Sequence, residues 1–120
     1  LYKRIRYHYT GNAAGSTLRL TLGCHLSEAL RIQLHRVGSG ARLTFTPPGE
    51  AALSEWMARH ARVAIFEHDA PWTVEPSLIS AARPPLNIDH NSAHAYYLSN
   101  RAVRAEFKAR ARSRPIWTPR

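Results

Sequence analysis

The sequence is poor in several residue types and patterns, and each shortage excludes a class of protein. Cys24 is the only cysteine among 120 residues, so an internal disulfide and a zinc site built from several thiolates are both excluded. A lone thiol fits a reducing cytoplasm. No apolar run approaches the roughly 20 residues needed to cross a bilayer, and no signal-peptide pattern opens the sequence. We therefore expect one domain with one hydrophobic core and no membrane span.

Acidic residues are also scarce. Eight Asp and Glu face 17 Lys and Arg, which leaves a formal net charge of +9. Most of the basic residues are arginines, whose planar guanidinium group suits phosphate oxygens. This balance favours a nucleic-acid partner, although an ordinary solvated surface would show the same composition. Beyond residue 100, where Glu106 is the only acidic residue, the basic residues are Arg101, Arg104, Lys108, Arg110, Arg112, Arg114 and Arg120.

The first sixty residues are predicted to form helices interrupted by one hairpin. Residues 1–9 carry apolar side chains at helical spacing. Ser16 can cap a second helix, TLRLTLGC, which Gly23 would close, and Ser27 can cap a short third one, EALR. From Ile32 the hydrophobic period becomes two, and the turn GSG predicts a β-hairpin. A helix with apolar residues at i, i+3, i+4 and i+7 follows the PPG stop.

The stretch at 61–91, ARVAIFEHDAPWTVEPSLISAARPPLNIDHN, is predicted to organise the domain. Its β-branched and aromatic residues at 63–66 suit a buried central strand. Thr73 can cap the helix that follows, which would place Glu75 in the first turn, near the positive end of the helix dipole. The Pro-Pro pair ends this helix, and Asn87 follows it. A linker then leads to a terminal helix at about 98–112, whose arginines point outward.

Several motifs resemble those of the GIY-YIG nuclease superfamily. The start of the chain, LYKRIRYH, fits without a gap the pattern L-x-x-R-(x3)-[Y/H] of the helix that follows the family's YIG strand, with Arg4 and His8 at its polar positions. VEPSLI carries Glu75 where the family has its metal-binding acid, and PLN supplies Asn87 at about the family's spacing. The segments GNAAGSTLRLTLG, RVGSGARLTF, LSEWM, PW and PLNIDHN look like a group of bacterial GIY-YIG domain proteins.

The resemblance implies a small α/β (α+β) fold with an antiparallel sheet flanked by helices. It implies a nuclease domain over residues 1–112, with an inserted helix and β-hairpin segment at 12–60. We expect a loose basic tail at 113–120. The family's tyrosine-bearing hairpin precedes its first helix, and Tyr2, Tyr7 and Tyr9 do not fit those tyrosine positions. We therefore expect this chain to be N-terminally incomplete, which would leave the fragment inactive.

The resemblance also implies a metal-dependent endonuclease that hydrolyses DNA phosphodiester bonds. Glu75 would hold Mg²⁺ or Mn²⁺, hard cations that need few protein ligands. Arg4 would pair with the scissile phosphate, and His8 would orient or donate a proton. Asn87 would maintain the geometry of the site. The nucleic-acid backbone would contact Arg6, Arg19, Arg101, Arg104 and Lys108.

Other interpretations stay open at this point. A glutamate at a helix start is commonly a surface residue, an asparagine after PPL a turn residue, and Arg4 with His8 a solvated helix face. The chain could also be a non-catalytic DNA-binding module or a basic RNA-binding protein, although it lacks a glycine-aromatic RNA-recognition motif. A second set of metal-ligand types, loosely similar to other metal nucleases, comprises His68, Asp69, Asp89, His90, Asn91 and His94.

Overall fold

The computed structural model describes residues 2–119, so the predicted helix position of Leu1 and the basic position of Arg120 lie outside the described residues. In this range the protein combines helices with one antiparallel two-stranded sheet, which confirms the predicted α+β class. No described helix is both long enough and apolar enough to span a membrane. In chain order the elements are α1 Tyr2–Thr10, α2 Thr17–His25, α3 Ser27–Leu30, β1 His35–Val37, β2 Arg42–Thr44, α4 Thr46–His60, α5 Pro71–Ala82 and α6 Tyr97–Ser113.

The predicted hairpin is confirmed as the pair of strands β1 and β2. They run antiparallel, with His35 opposite Thr44 at the open end. The turn contains Gly38 at φ 62° and Gly40 at φ 95°. Residues with a Cβ rarely adopt such values, so glycine is needed where the chain reverses this tightly.

The hydrophobic core lies between α2, α4, α6 and the hairpin. Leu34 and Leu53 are completely buried, and Phe45 is 1% exposed. A Cβ added at Gly23 would overlap the Phe45 ring, so the backbone of α2 passes directly over that ring. The prediction that Gly23 closes α2 is therefore wrong. The helix continues to His25, and the glycine serves close packing rather than termination.

Two predicted helix caps have different outcomes. Ser16 is confirmed as the cap of α2, since its Oγ accepts a hydrogen bond from the backbone N–H of Arg19. Ser27 is not a cap, because it is the first residue of α3 and Leu26 occupies the cap position. The N–H of Leu26 still donates to the carbonyl of Leu22, so α2 runs into α3 with little interruption.

The predicted central strand at 63–66 is wrong. Residues 61–68 have no regular secondary structure, and Val63, Ile65 and Phe66 are 49%, 51% and 75% exposed. A strand needs a neighbour to accept and donate its backbone hydrogen bonds. In the described part of the chain β1 and β2 pair only with each other, so this segment has no ladder to join.

Helix α5 begins three residues earlier than predicted, because Ala70 and not Thr73 occupies the cap position. Pro71 opens the helix, where its fixed φ is favourable and its missing N–H is not needed. The hydroxyl of Thr73 donates to the carbonyl of Ala70 rather than accepting a cap bond. Glu75 consequently lies just past the first turn, and the prediction that it occupies that turn is wrong. The predicted end is confirmed, since α5 stops at Ala82, before the Pro-Pro pair.

The terminal helix is confirmed as α6, with Val103 and Phe107 packed against the core. The residues after it are hydrogen-bonded to the region of β1. Arg114 donates to the carbonyl of Leu34 at 3.1 Å, and the Trp117 N–H donates to the carbonyl of Arg36 at 2.9 Å. The division into a domain at 1–112 and a loose tail at 113–120 stays a prediction, but these contacts fix the beginning of the tail.

Candidate functional site

Helix α1 presents Arg4 and His8 one turn apart, as their spacing predicts. Both line a shallow cavity of about 270 Å³, together with Lys3, Tyr7 and Gly15. The Arg4 side chain is exposed, whereas His8 is half-buried. An arginine open to solvent beside a histidine is an arrangement that can bind a phosphate and donate a hydrogen bond to it.

His8 is held by a hydrogen-bond chain that starts in α2. Its Nδ1 lies 2.7 Å from the hydroxyl of Ser16, and that hydroxyl oxygen accepts from the backbone N–H of Arg19 at 3.1 Å. Burial, helped by the charges of Arg4 and Arg19, lowers the pKa of His8 below its ordinary 6.5. A neutral imidazole whose Nδ1 accepts from Ser16 carries its proton on Nε2, and that N–H is then the group available to a ligand.

Arg19 is not a nucleic-acid contact, and that prediction is corrected here. Its side chain is completely buried in an ion pair with Glu50, at 3.0 Å between Nη2 and Oε1. The same guanidinium group donates to the carbonyl of His8 at 3.1 Å and to the carbonyl of Glu50 at 2.8 Å. No phosphate can reach a group that protein atoms surround in this way. Arg19 instead fixes the end of α1 that carries His8.

Sequence reasoning missed Glu50. One oxygen of its carboxylate accepts from Arg19, and the other accepts from the backbone N–H groups of Ala13 at 3.0 Å and Phe45 at 3.1 Å. The carboxylate therefore joins α2, the loop after α1 and the end of β2. A signal was present in the sequence, because Arg19 is the only charged residue in the apolar segment TLRLTLG and would need a buried partner.

Glu75 lies on the exposed surface of α5. Within residues 2–119 no hydrogen bond or ion pair occupies its carboxylate, and none joins it directly to Arg4 or His8. A Mg²⁺ site can rest on one or two carboxylates, with waters completing the coordination. The chemistry of Glu75 fits that requirement, since an exposed and unpaired carboxylate is free to take a hard cation.

Asn87 lies in the turn that follows α5. Its backbone N–H donates to the carbonyl of Pro84 at 3.2 Å. The side chain of Asn91, which is 5% exposed, donates to the carbonyls of Pro84 at 2.9 Å and Asn87 at 3.1 Å. The shape of this loop thus depends on a second asparagine, which the sequence had suggested only as one of the competing metal-ligand types.

A third asparagine anchors the same loop to the body of the domain. Asn100 is 1% exposed, and its Nδ2 donates to the carbonyl of Pro85 at 2.6 Å. Its Oδ1 lies 2.7 Å from His25 Nε2. The loop that carries Asn87 is therefore tied to both α2 and α6.

The competing set of metal-ligand types does not assemble. Among residues 2–119, no group of three or more His, Cys, Asp or Glu side chains could hold a metal ion. The Nδ1 atoms of His68 and His94 accept from the backbone N–H groups of Ala70 and Tyr96. These two histidines therefore stabilise the local backbone of their loops.

Most of the predicted backbone-binding residues lie on α6. Arg101, Arg104 and Lys108 line a cavity of about 400 Å³ with Ile88. Arg6 is exposed on α1. Unlike Arg19, these four side chains can be reached from solvent.

Comparison with known families assigns the chain to a class. The family described as the GIY-YIG catalytic domain matches residues 1–106. The chain therefore belongs to the GIY-YIG family. Membership implies nuclease-type activity in general, in a family whose members use divalent metal ions and whose expected substrate is DNA. No curated protein and no solved structure matches the chain.

Proposed function

We propose that this domain hydrolyses phosphodiester bonds of DNA as a metal-dependent endonuclease in the cytoplasm. The observation that supports it best is the α1 face, where exposed Arg4 lies beside His8 in one cavity. His8 is oriented there by Ser16 and Arg19. An oriented donor next to an unpaired arginine suits a phosphodiester more than it suits an ordinary solvated surface.

Each proposed site residue has a separate role. Arg4 binds non-bridging oxygens of the phosphate through paired N–H groups. His8 donates a hydrogen bond from Nε2 to the same phosphate or to the leaving oxygen. Glu75 holds Mg²⁺ or Mn²⁺, which when bound supplies charge stabilisation for the phosphoryl group. Asn87 stabilises the geometry of the loop after α5.

Binding of the DNA backbone is assigned to cations other than these four residues. Arg6 lies on α1, and Arg101, Arg104 and Lys108 lie on α6. Phosphate contacts of this kind supply affinity without sequence preference. Glu75 lies on α5 and these cations do not, so substitutions can test binding and cutting separately.

The test is nicking of supercoiled plasmid by this chain and by the full-length gene product, with Mg²⁺ and with a chelator. We expect the full-length product to cut only when metal is present. The substitution Glu75→Gln should abolish that cutting. Because the Glu75 side chain is exposed, thermal unfolding of Glu75→Gln should match that of the parent. The matched control is Glu67→Gln, which removes another exposed carboxylate and should cut normally.

The outcome that contradicts this proposal is equally definite. Equal metal-dependent cutting by Glu75→Gln would remove Glu75 from the site. If the full-length product cuts no DNA but binds it in a salt-dependent way, the domain is a non-catalytic DNA-binding module. The arginine-rich surface of α6 favours that second candidate, because it needs neither metal nor Glu75 to hold phosphates.

A further inference from the structure

Helix α6 separates its cations onto two sides. Arg101, Arg104, Lys108 and Arg112 recur every three or four residues, so they lie within an arc of roughly 80°. Glu106 and Arg110 form an exposed ion pair elsewhere on the helix. The other ion pairs among residues 2–119 lie in the core and on α4. Among residues 2–119 the first side of α6 therefore carries a row of cations that form no ion pair, although the charge of Asp89 acts on Arg104.

Two of these cations are held in position by neighbours that leave their charge available. Arg104 Nε donates to the hydroxyl of Thr21 at 2.6 Å, which lays the guanidinium group against α2. The guanidinium carbon of Arg101 lies 5.6 Å from the centre of the Tyr97 ring. Side chains ordered in advance lose less conformational entropy when a ligand binds.

The row continues from α6 onto the hairpin. The cavity of about 400 Å³ beside Ile88 is also lined by Lys108 and Arg112. A second cavity of about 330 Å³ is lined by the same two residues and by Arg42 of β2. We call the five cations the basic groove: Arg42, Arg101, Arg104, Lys108 and Arg112.

We propose that the basic groove binds the phosphate backbone of a nucleic acid, with Arg42 of the inserted segment at one end. At the other end the groove reaches Ile88, next to Asn87, so a bound strand would lead toward the loop of the proposed nuclease site. Only the course of the bound strand toward the Asn87 loop rests on the proposed function, and binding by the groove does not depend on it. It assigns the segment at 12–60 a part in substrate binding.

The spacing of the groove supports a polymer rather than a small anion. Arg101 and Arg112 are about 16 Å apart along the helix, at 1.5 Å per residue. At 3.4 Å per nucleotide along each strand, that distance covers about five base-pair steps of duplex DNA. A single phosphate would need cations gathered around one point, whereas these cations are spread along a line.

The experiment measures binding of a labelled duplex by fluorescence anisotropy over a series of salt concentrations, in chelator so that no cutting occurs. We expect Arg42→Ala and Arg112→Ala each to weaken binding and to reduce the slope of log K against log salt by about 0.9. The matched controls are Arg59→Ala and Arg110→Ala. They remove the same charge from exposed arginines that are already paired with Glu55 and Glu106, and their slopes should match that of the parent.

Three results would overturn the inference. Equal weakening by groove and control variants would show that only net charge matters. If Arg42→Ala and Arg112→Ala each bound the duplex like the parent, the hairpin end would have no part in binding. Competition by poly-glutamate as strong as by unlabelled DNA would identify an acidic protein as the partner.

The two proposals can fail independently. Loss of binding in the groove variants without any plasmid cutting by the full-length product would keep the groove and reject the nuclease. If the full-length product cut DNA with metal while the groove variants bound DNA normally, the nuclease would be kept and the groove rejected.

Discussion

Arg19 and Glu50 form an ion pair inside the protein, with side chains that are 0% and 10% exposed. Removing two charges from water is expensive, and only good geometry with further hydrogen bonds offsets that cost. Here the guanidinium group also holds the carbonyl of His8, and the carboxylate also holds the N–H groups of Ala13 and Phe45. The pair is consequently the junction through which α1, α2, α4 and the hairpin are joined.

Replacing Arg19 with methionine should destabilise the protein strongly. The substitution leaves the Glu50 carboxylate buried without its counter-ion, and we expect a loss of about 3–5 kcal/mol in the free energy of unfolding. Denaturant unfolding followed by circular dichroism measures this. Arg59→Met is the control, because it breaks only an exposed pair with Glu55 and should cost less than about 1 kcal/mol.

Two further variants make the result decisive. If Arg19→Met does not fold, Arg19→Lys keeps the charge but removes donors, and an intermediate loss is expected. Combining Arg19→Met with Glu50→Leu should cost less than the sum of the single changes, because neither charge is then left alone. An Arg19→Met protein as stable as Arg59→Met would contradict the assignment of the pair as the structural junction.

Features of the fold that depend on local signals could be predicted from the sequence. Helical periodicity identified α1, α4 and α6, and the glycine turn identified the hairpin. The strand at 63–66 could not be predicted correctly, because its β-forming residues supply propensity but not a neighbouring strand. The start of α5 was misplaced because Thr73 and Pro71 both offer a plausible first turn, and only the structure distinguishes them.

The same distinction applies to the candidate site. Arg4 and His8 are neighbours because residues four apart share a helix face. The apolar surroundings of Arg19 indicated burial, but its partner Glu50 could not be identified from the sequence, since it is 31 residues away. The roles of Asn91 and Asn100 were missed because both donate to backbone carbonyls. Every residue has such a carbonyl, so the sequence does not show which one a side chain will bind.

Adding one methyl group at Gly23 should destabilise the protein. A glycine-to-alanine change inside a helix usually stabilises by about 0.5–1 kcal/mol, but here the new Cβ would overlap the Phe45 ring. We expect Gly23→Ala to cost about 1–3 kcal/mol, as overpacking of a core usually does. Denaturant unfolding measures the change. The double variant Gly23→Ala, Phe45→Leu should recover part of the lost free energy of unfolding. A Gly23→Ala protein more stable than the parent would contradict the packing of α2 on the Phe45 ring.

The thiol of Cys24 should be unreactive in the folded protein. The side chain is 3% exposed, and burial raises the pKa of Cys24 to about 11 even though Arg104 and Lys108 act in the opposite direction. Since the thiolate is the reactive form, labelling by iodoacetamide near pH 8 should proceed only through unfolding. The rate should rise with denaturant in parallel with the unfolded fraction, and fast labelling without denaturant would show that the core around α2 opens.

Protonation of His8 should weaken the fold at acidic pH. Burial and the charges of Arg4 and Arg19 lower its pKa in the folded state, while the unfolded chain keeps the ordinary value of 6.5. Below pH 6.5 the unfolded state therefore binds more protons than the folded state, so stability is lost as the pH falls toward the folded pKa. NMR titration of the His8 ring should give a midpoint below 6.5 and, at neutral pH, a proton on Nε2.

The contribution of His8 can be separated from that of His35, whose pKa is also lowered, by burial and by Arg114. Unfolding should depend less on pH in His8→Gln than in the parent, and His35→Gln should remove a separate part of the dependence. Ser16→Ala removes the hydroxyl that lies 2.7 Å from Nδ1, so the preference for the Nε2–H form should weaken in the NMR spectrum. A His8 midpoint at or above 6.5 would mean that the imidazole takes up its charge in the folded protein, and the role of His8 as a neutral donor would have to be abandoned.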